Sequence, residues 1–197
     1  PGQMIDAKTG AFLDNEGNPV PQRDKAGFFD LEGHPAVDAV ALLTAKNIIQ
    51  GSPDGLFHPD DNITQPAYLA MLLRTTGYQP RGEVTDGPWY KQYEEQARRR
   101  GILKDEDKID PVAAVTREQA AVWTVRALEQ DRVASLKDIW QVPAKDAASI
   151  KYLGHVALYL GQNLDPDRQD NFRPAATLTR AQAAQGMVLF LSQERYY

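Results

Sequence analysis

From residue 36 onward, apolar positions recur at helical spacing. Val37, Val40, Ala41 and Thr44, followed by Ile48, make a one-faced stripe that ends near Asn47. After the loop "GSPDGLFHPDDNITQP", Leu69, Leu72, Leu73 and Thr76 make a second stripe, closed by Gly77 as a helix C-terminus requires. The order returns with Tyr90, Tyr93 and Ala97, then Ala120, Trp123 and Ala127, and once more in a looser copy whose final helix carries Ala183, Met187 and Leu191. The pattern predicts an all-α chain of three helix-loop-helix units, residues 28–80, 81–133 and 134–197, behind a linker of 27 residues with turns and a short hairpin. A threonine precedes the second helix of each unit: Thr64, Thr116 and Thr179, 52 and then 63 residues apart. The third unit therefore carries an insertion, expected between Gly154 and Phe172. Units of this size cannot each bury a face alone, so they pack around a shared axis or stack in a row; periodicity leaves both open.

The threonines read as helix N-caps, each accepting a bond from a free first-turn amide. Thr116 with Gln119 and Thr179 with Gln182 have the capping-box spacing, in which the glutamine side chain reaches back to the cap amide. Copy one has Ala67 there instead, and Pro66 in the first turn, where proline is tolerated. Arg117 and Arg180 follow the caps directly, although a cation is disfavoured at the positive end of a helix by up to ~1 kcal/mol. Two readings compete. Each arginine pairs with a nearby acid, or guanidinium and free helix amides together bind an anionic group, a carboxylate fitting the planar donor fork best.

Charge and composition narrow the function. With 27 acidic against 22 basic residues the net charge is -5, which argues against nucleic acid as a partner. The absence of cysteine excludes a disulfide framework and cysteine chemistry while leaving the compartment open. No apolar stretch approaches the ~20 residues needed to span a bilayer, so no membrane insertion is expected, and the sequence reads as a soluble fragment or mature segment.

No catalytic constellation assembles, and the chain is not expected to be an enzyme. His34, His58 and His155 lack metal-ligand spacing and read as surface or turn residues. "DPDRQDN" at 165–171 lacks the glycine and terminal glutamate of a calcium loop and reads as a solvated loop, so neither metal nor cofactor is expected. Asp60 and Asp61 read as loop acids, Arg98, Arg99 and Arg100 as a run complementing a helix C-terminus, and Trp140 as packing.

The succession "FFDLEGHPAVDAV", "NIIQGSPDGLFHPDDNIT" and a helix resembles the S-layer homology domain. Copy two shares Trp89, "RGIL", Pro111 and "VTREQAA" with it; copy three shares Phe172, Pro174 and "LTRAQAA". The resemblance covers residues 28 to 197. It implies a pseudo-threefold helical bundle with grooves between repeats, at the bacterial cell wall outside the cell. There it would bind an anionic, often pyruvylated, secondary cell-wall polysaccharide and act as a monomeric anchor. Matched by position, the resemblance points to Arg117 and Arg180 for the acidic sugar substituent, to Trp89, and to Gly51, Asp54 and Gly55 of the loop. Asp30, Asp86 and Asp138 match the family's aspartate before the first helix, a position equally suited to a helix-capping acid. Gln65 replaces the arginine in copy one, so that copy supplies loop and structure more than charge. Its "GSPDGLFHPDD" walls a groove served by Arg180 if the three units close in a ring. Two alternatives are a helical-repeat scaffold for a protein partner, which includes a second copy of the chain, and direct binding of peptidoglycan.

Overall fold

The computed structural model describes residues 4–6, 12–13, 16–18, 20, 23–80, 87–167 and 169–193. Strands β1 (Met4–Ile5) and β2 (Phe12–Leu13) pair antiparallel, so the linker does contain a short ladder. Everything else regular among the described residues is helical, as the periodicity predicts. The helices are α1 (Val37–Ala45), α2 (Gln65–Thr75), α3 (Lys91–Arg99), α4 (Arg117–Ala127), the short α5 (Asp131–Ala134), α6 (Leu153–Gly161) and α7 (Arg180–Gln193), with a single 3-10 turn at Ala147–Ser149. The predicted stripes face inward: Val40, Ile48, Leu69, Leu72, Leu73, Tyr93, Ala97, Ala120, Trp123, Ala183 and Met187 are all buried.

The cap chemistry follows the sequence. Thr116 and Gln119 exchange both bonds of a capping box, the Gln119 amide donating to Thr116 Oγ1 at 3.2 Å and the Thr116 amide to Gln119 Oε1 at 3.0 Å. Thr179 and Gln182 do the same at 3.1 and 3.0 Å. Thr64 keeps only a long bond, 3.4 Å from the Ala67 amide.

The inserted residues lie elsewhere than expected. Val37 stands 27 positions before Thr64, Lys91 25 before Thr116 and Leu153 26 before Thr179, so the stretch from Gly154 to Phe172 is not enlarged. The extra length precedes α6, in the 128–152 connection that carries α5 and the 3-10 turn.

The two main helices of a unit are not each other's main packing partners. The first helix of each unit lies against the second helix of the preceding one: α3 on α2, α6 on α4, and α1 on α7, which joins the two ends of the chain. α2 packs against both α4 and α7, and its side chains are buried almost all round, as a helix enclosed by others requires. The residues before α2, α4 and α7 bond in a closed cycle: Ile63 N–H donates to Leu178 O at 3.0 Å, Leu178 N–H to Val115 O at 3.2 Å, and Val115 N–H to Ile63 O at 2.9 Å. A row of stacked units would leave its outer members unpaired, whereas here the residues before all three helices bond to one another.

The same cycle places each helix start on another unit's loop. The Gln65 amide donates to Ala113 O at 2.9 Å, that of Arg117 to Ala176 O at 2.8 Å and that of Arg180 to Asp61 O at 2.8 Å. One residue on, Glu118 donates to Pro174 O at 3.1 Å and Ala181 to Pro59 O at 2.9 Å. Pro66 occupies this place in copy one and has no N–H to give, so the bond toward Pro111 is missing there. First-turn amides that an isolated helix leaves unpaired are thus used as inter-unit clasps.

Candidate functional site: arginines seated on neighbouring loops

Arg180 begins α7, and its capped helix start lies on the copy-one loop. Its Nε donates to Phe57 O at 2.8 Å, and the guanidinium lies over the Phe57 ring, 4.8 Å from the centroid. Arg117 begins α4 and takes the corresponding place on the copy-three loop, Nε donating to Phe172 O at 2.6 Å and the guanidinium 5.1 Å from the Phe172 centroid. Gln65 meets the corresponding peptide of copy two with reversed polarity: its Oε1 accepts from the Asp110 amide at 3.0 Å. It therefore supplies no cation to that groove, as its identity implies.

The two arginines differ in what meets their outer nitrogens. Arg117 is 3% exposed, and its Nη2 donates to Asp165 Oδ2 at 2.7 Å and to Asp167 O at 3.3 Å, with Asp167 Oδ2 3.6 Å from Nη1. Asp165 is itself 4% exposed, and Asp167 also pairs with Arg173. Burial raises the Asp165 carboxyl above the ordinary carboxylate range, with Arg117 opposing. Arg180 is half-buried, and among the described residues no carboxylate forms an ion pair with it. Burial lowers its guanidinium from the usual value, and the charges of Asp61 and Asp30 partly offset this.

The copy-one loop under Arg180 is held by carboxylates and glycines. Asp30 caps no helix, since the residue before α1 is Ala36. Instead its Oδ1 accepts from the Phe57 amide at 2.8 Å and its Oδ2 from the His58 amide at 2.7 Å. These bonds hold His58 at φ 57, a left-handed conformation costly for a side-chain-bearing residue. Asp54 accepts from the Leu56 amide at 2.9 Å and meets His58 Nε2 at 2.9 Å; the Leu56 bond is the main cause of its lowered carboxyl. A Cβ on Gly51 would stand 2.0 Å from Phe28 Cε1, and one on Gly55, at φ 82, would stand 2.9 Å from Phe29 Cε2. Both glycines let the loop lie on the Phe28-Phe29 pair. Ala26 and Phe28 are buried, and Asp24 accepts amides of Ala26, Phe28 and Leu31, so the chain just ahead of residue 31 belongs to the core.

The aspartate that corresponds to Asp30 in copy three is Asp146, not Asp138. Its Oδ1 accepts from the Phe172 amide at 2.8 Å and its Oδ2 from that of Arg173 at 2.7 Å, and Arg173 has φ 55. Asp138 is exposed, with φ 63, on the rim of a groove of about 620 Å³ lined also by Lys104, Trp140, Lys151, Tyr152 and His155. The insertion misled the match by displacing the aspartate from its usual distance. Asp86 lies outside the described residues. Trp89 is 53% exposed, with its ring edge-on to Tyr90 and Tyr93 at 5.8 and 6.2 Å.

The expectation that all three histidines lie on the surface or in turns fails for His155, which is 5% exposed. Its Nε2 meets Asp131 Oδ1 at 2.9 Å, in a network where Arg126 bonds both Asp131 and Asp107, and Lys104 bonds Asp131. Burial opposes ionisation of Asp131, but hydrogen bonds from Lys104 and His155 and the charges of Lys104 and Arg126 outweigh it and hold the carboxyl at about 2. Burial likewise lowers His155, with Asp131 opposing. Sequence reasoning missed this network because its members come from four separated segments.

The class so far defined is an all-helical protein whose units clasp one another through helix starts, with an unpaired guanidinium on one loop. The S-layer homology domain family model matches residues 27–65 and 145–184, the segments that contain the two phenylalanine loops and their threonine caps. The chain is similar to an amylopullulanase of Thermoanaerobacterium thermosulfurigenes, 26% identical over 93% of this chain and 10% of the relative. It is also similar to exoglucanase XynX of Acetivibrio thermocellus, 27% identical over 80% of this chain and 15% of the relative. A cellulosome-anchoring protein of the same species is 23% identical over 81% of this chain and 38% of the relative. The chain thus spans a small part of each relative's length. Among the described residues, no helix is long and apolar enough to cross a membrane.

Proposed function

We propose that this chain is a non-catalytic anchoring module of three S-layer homology repeats in a pseudo-threefold bundle, which holds its protein at the bacterial cell surface. It does so by binding an anionic cell-wall polysaccharide. The family matches and the cellulosome-anchoring relative support the surface role. The observation that carries the ligand chemistry is Arg180: a guanidinium fixed through Nε on the Phe57 carbonyl, stacked on the Phe57 ring, its outer nitrogens meeting no carboxylate among the described residues. A planar donor fork at a capped helix start suits a carboxylate, and a pyruvylated amino sugar supplies one. Asp30, Gly51, Asp54 and Gly55 set the loop that forms the floor; the exposed Trp89 lies apart from it, just before α3 in the second unit, and offers a separate sugar face to stack on. Asp86 is included only through the resemblance of the second unit to the family.

Sedimentation with purified cell-wall polysaccharide tests this. The parent should co-sediment and Arg180→Met should not; equal binding of the two removes the assignment. Retention on walls stripped of secondary polymer would instead favour peptidoglycan. A second reading, a scaffold for a protein partner, draws on the inserted segment, where Val133, Leu136 and Ile139 are 49%, 53% and 60% exposed. Loss of wall attachment on replacing these three by serine, with Arg180→Met inert, would favour it.

A further inference from the structure

The chain carries two arginines in corresponding seats, and among the described residues carboxylates meet only Arg117. Counted from the starts of α1 and α6, Ile49 and Asp165 both stand 12 positions on, and Gly51 and Asp167 both 14. The backbone agrees with this match. Asn47 and Asn163 have φ 56 and 57, and the next amides, of Ile48 and Leu164, donate to Leu43 O and Tyr159 O at 2.9 and 3.0 Å. Where the loop under Arg180 has an apolar side chain and a glycine, the loop under Arg117 has two carboxylates.

We propose that Asp165, with Asp167 beside it, is a built-in carboxylate that fills the anion position of Arg117 and leaves the chain a single anion site, at Arg180. The inference rests on the reading of Arg180 as an anion contact and adds the count of sites and the pose. In both seats Nε is committed to a phenylalanine carbonyl, so an incoming acid has only the Nη edge. Asp165 shows how a carboxylate takes that edge, 2.7 Å from Nη2. A sugar carboxylate at Arg180 would sit above Ile49 and Gly51, where the copy-three loop places its acids.

Titration calorimetry with the methyl glycoside of a pyruvylated amino sugar decides the matter. The parent should bind one equivalent, weakened at least tenfold by Arg180→Met. Asp165→Ile with Asp167→Gly, which copies the copy-one loop, should bind two, the second lost when Arg117→Met is added. Because that variant leaves a desolvated cation and can unfold, Arg117→Met with Asp165→Ile provides the second arm. It replaces the buried pair by apolar groups, which buried ion pairs generally tolerate, and should keep one equivalent at an affinity within twofold of the parent. Loss of binding in this apolar pair overturns the proposal, as does a folded opened variant that still binds one equivalent. In either case the Arg180 reading stands if the parent binds through Arg180. A parent that binds nothing removes both.

Discussion

Arg117 and Arg180 share a Thr-Arg-x-Gln helix start, a capping box and a phenylalanine seat, yet Arg117 is paired inside the protein and Arg180 meets no carboxylate among the described residues. The difference lies wholly in the opposing loop. Asp165 and Asp167 neutralise Arg117 from within the protein, whereas Ile49 and Gly51 leave Arg180 half-buried and, among the described residues, without an ion pair. Recurrence of a motif therefore does not count sites. Its partner in another unit, remote in sequence, sets whether a cation is structural or free to bind.

The largest expected effect that could break this comparison is on stability. Arg117→Ala strands a buried carboxylate and should cost about 3–5 kcal/mol. Arg180→Ala loses one hydrogen bond to a carbonyl and a ring contact at a half-buried site and should cost about 1–2 kcal/mol. Urea unfolding of both variants checks this, and equal losses would mean that the two seats are alike. Next come the loop anchors. Asp30→Ala and Asp146→Ala each remove two charge-assisted bonds to backbone amides, one of which holds a left-handed residue, and each should cost about 2–3 kcal/mol by the same measurement. Asp138→Asn, which keeps a side chain that tolerates the left-handed backbone, should be neutral within about 0.5 kcal/mol, as expected at an exposed position.

Acidification probes the packing of α5 and α6. His155 is lowered in the folded state, so the unfolded chain binds its proton first and stability falls as pH drops below 6.5. Asp131 is lowered from 3.8 to about 2, so its contribution is present above 3.8 and is lost between there and about 2. Thermal melts across this range should show both steps, and His155→Gln should remove the upper one. Pro66→Ala restores the amide that Glu118 and Ala181 use as a clasp. Hydrogen exchange should find the new amide protected, with stability changed by less than about 1 kcal/mol, because the bond gained offsets the freedom returned to the unfolded chain.

Much was legible in the chain itself. Helical periods, Thr-x-x-Gln caps and the loop glycines are local relations, in which the residues that make a contact lie within a few positions of one another. The helices, their starts and the altered chemistry at Gln65 followed from these alone. The position of the insertion did not, nor did the identity of Asp146: Asp138 stands 22 positions after Thr116, as Asp86 does after Thr64, whereas the aspartate that bonds the loop stands 7 positions before its own helix, as Asp30 does. The sequence by itself determined which arginines stand behind capping threonines. Only the tertiary structure decided that α1 closes on α7, that the helix starts clasp loops of other units, and that Asp165 reaches Arg117 across 48 residues while nothing equivalent reaches Arg180. The physical reason is that the balance between a free and a neutralised guanidinium depends on burial and on the charge opposite it, and the folded ring sets both.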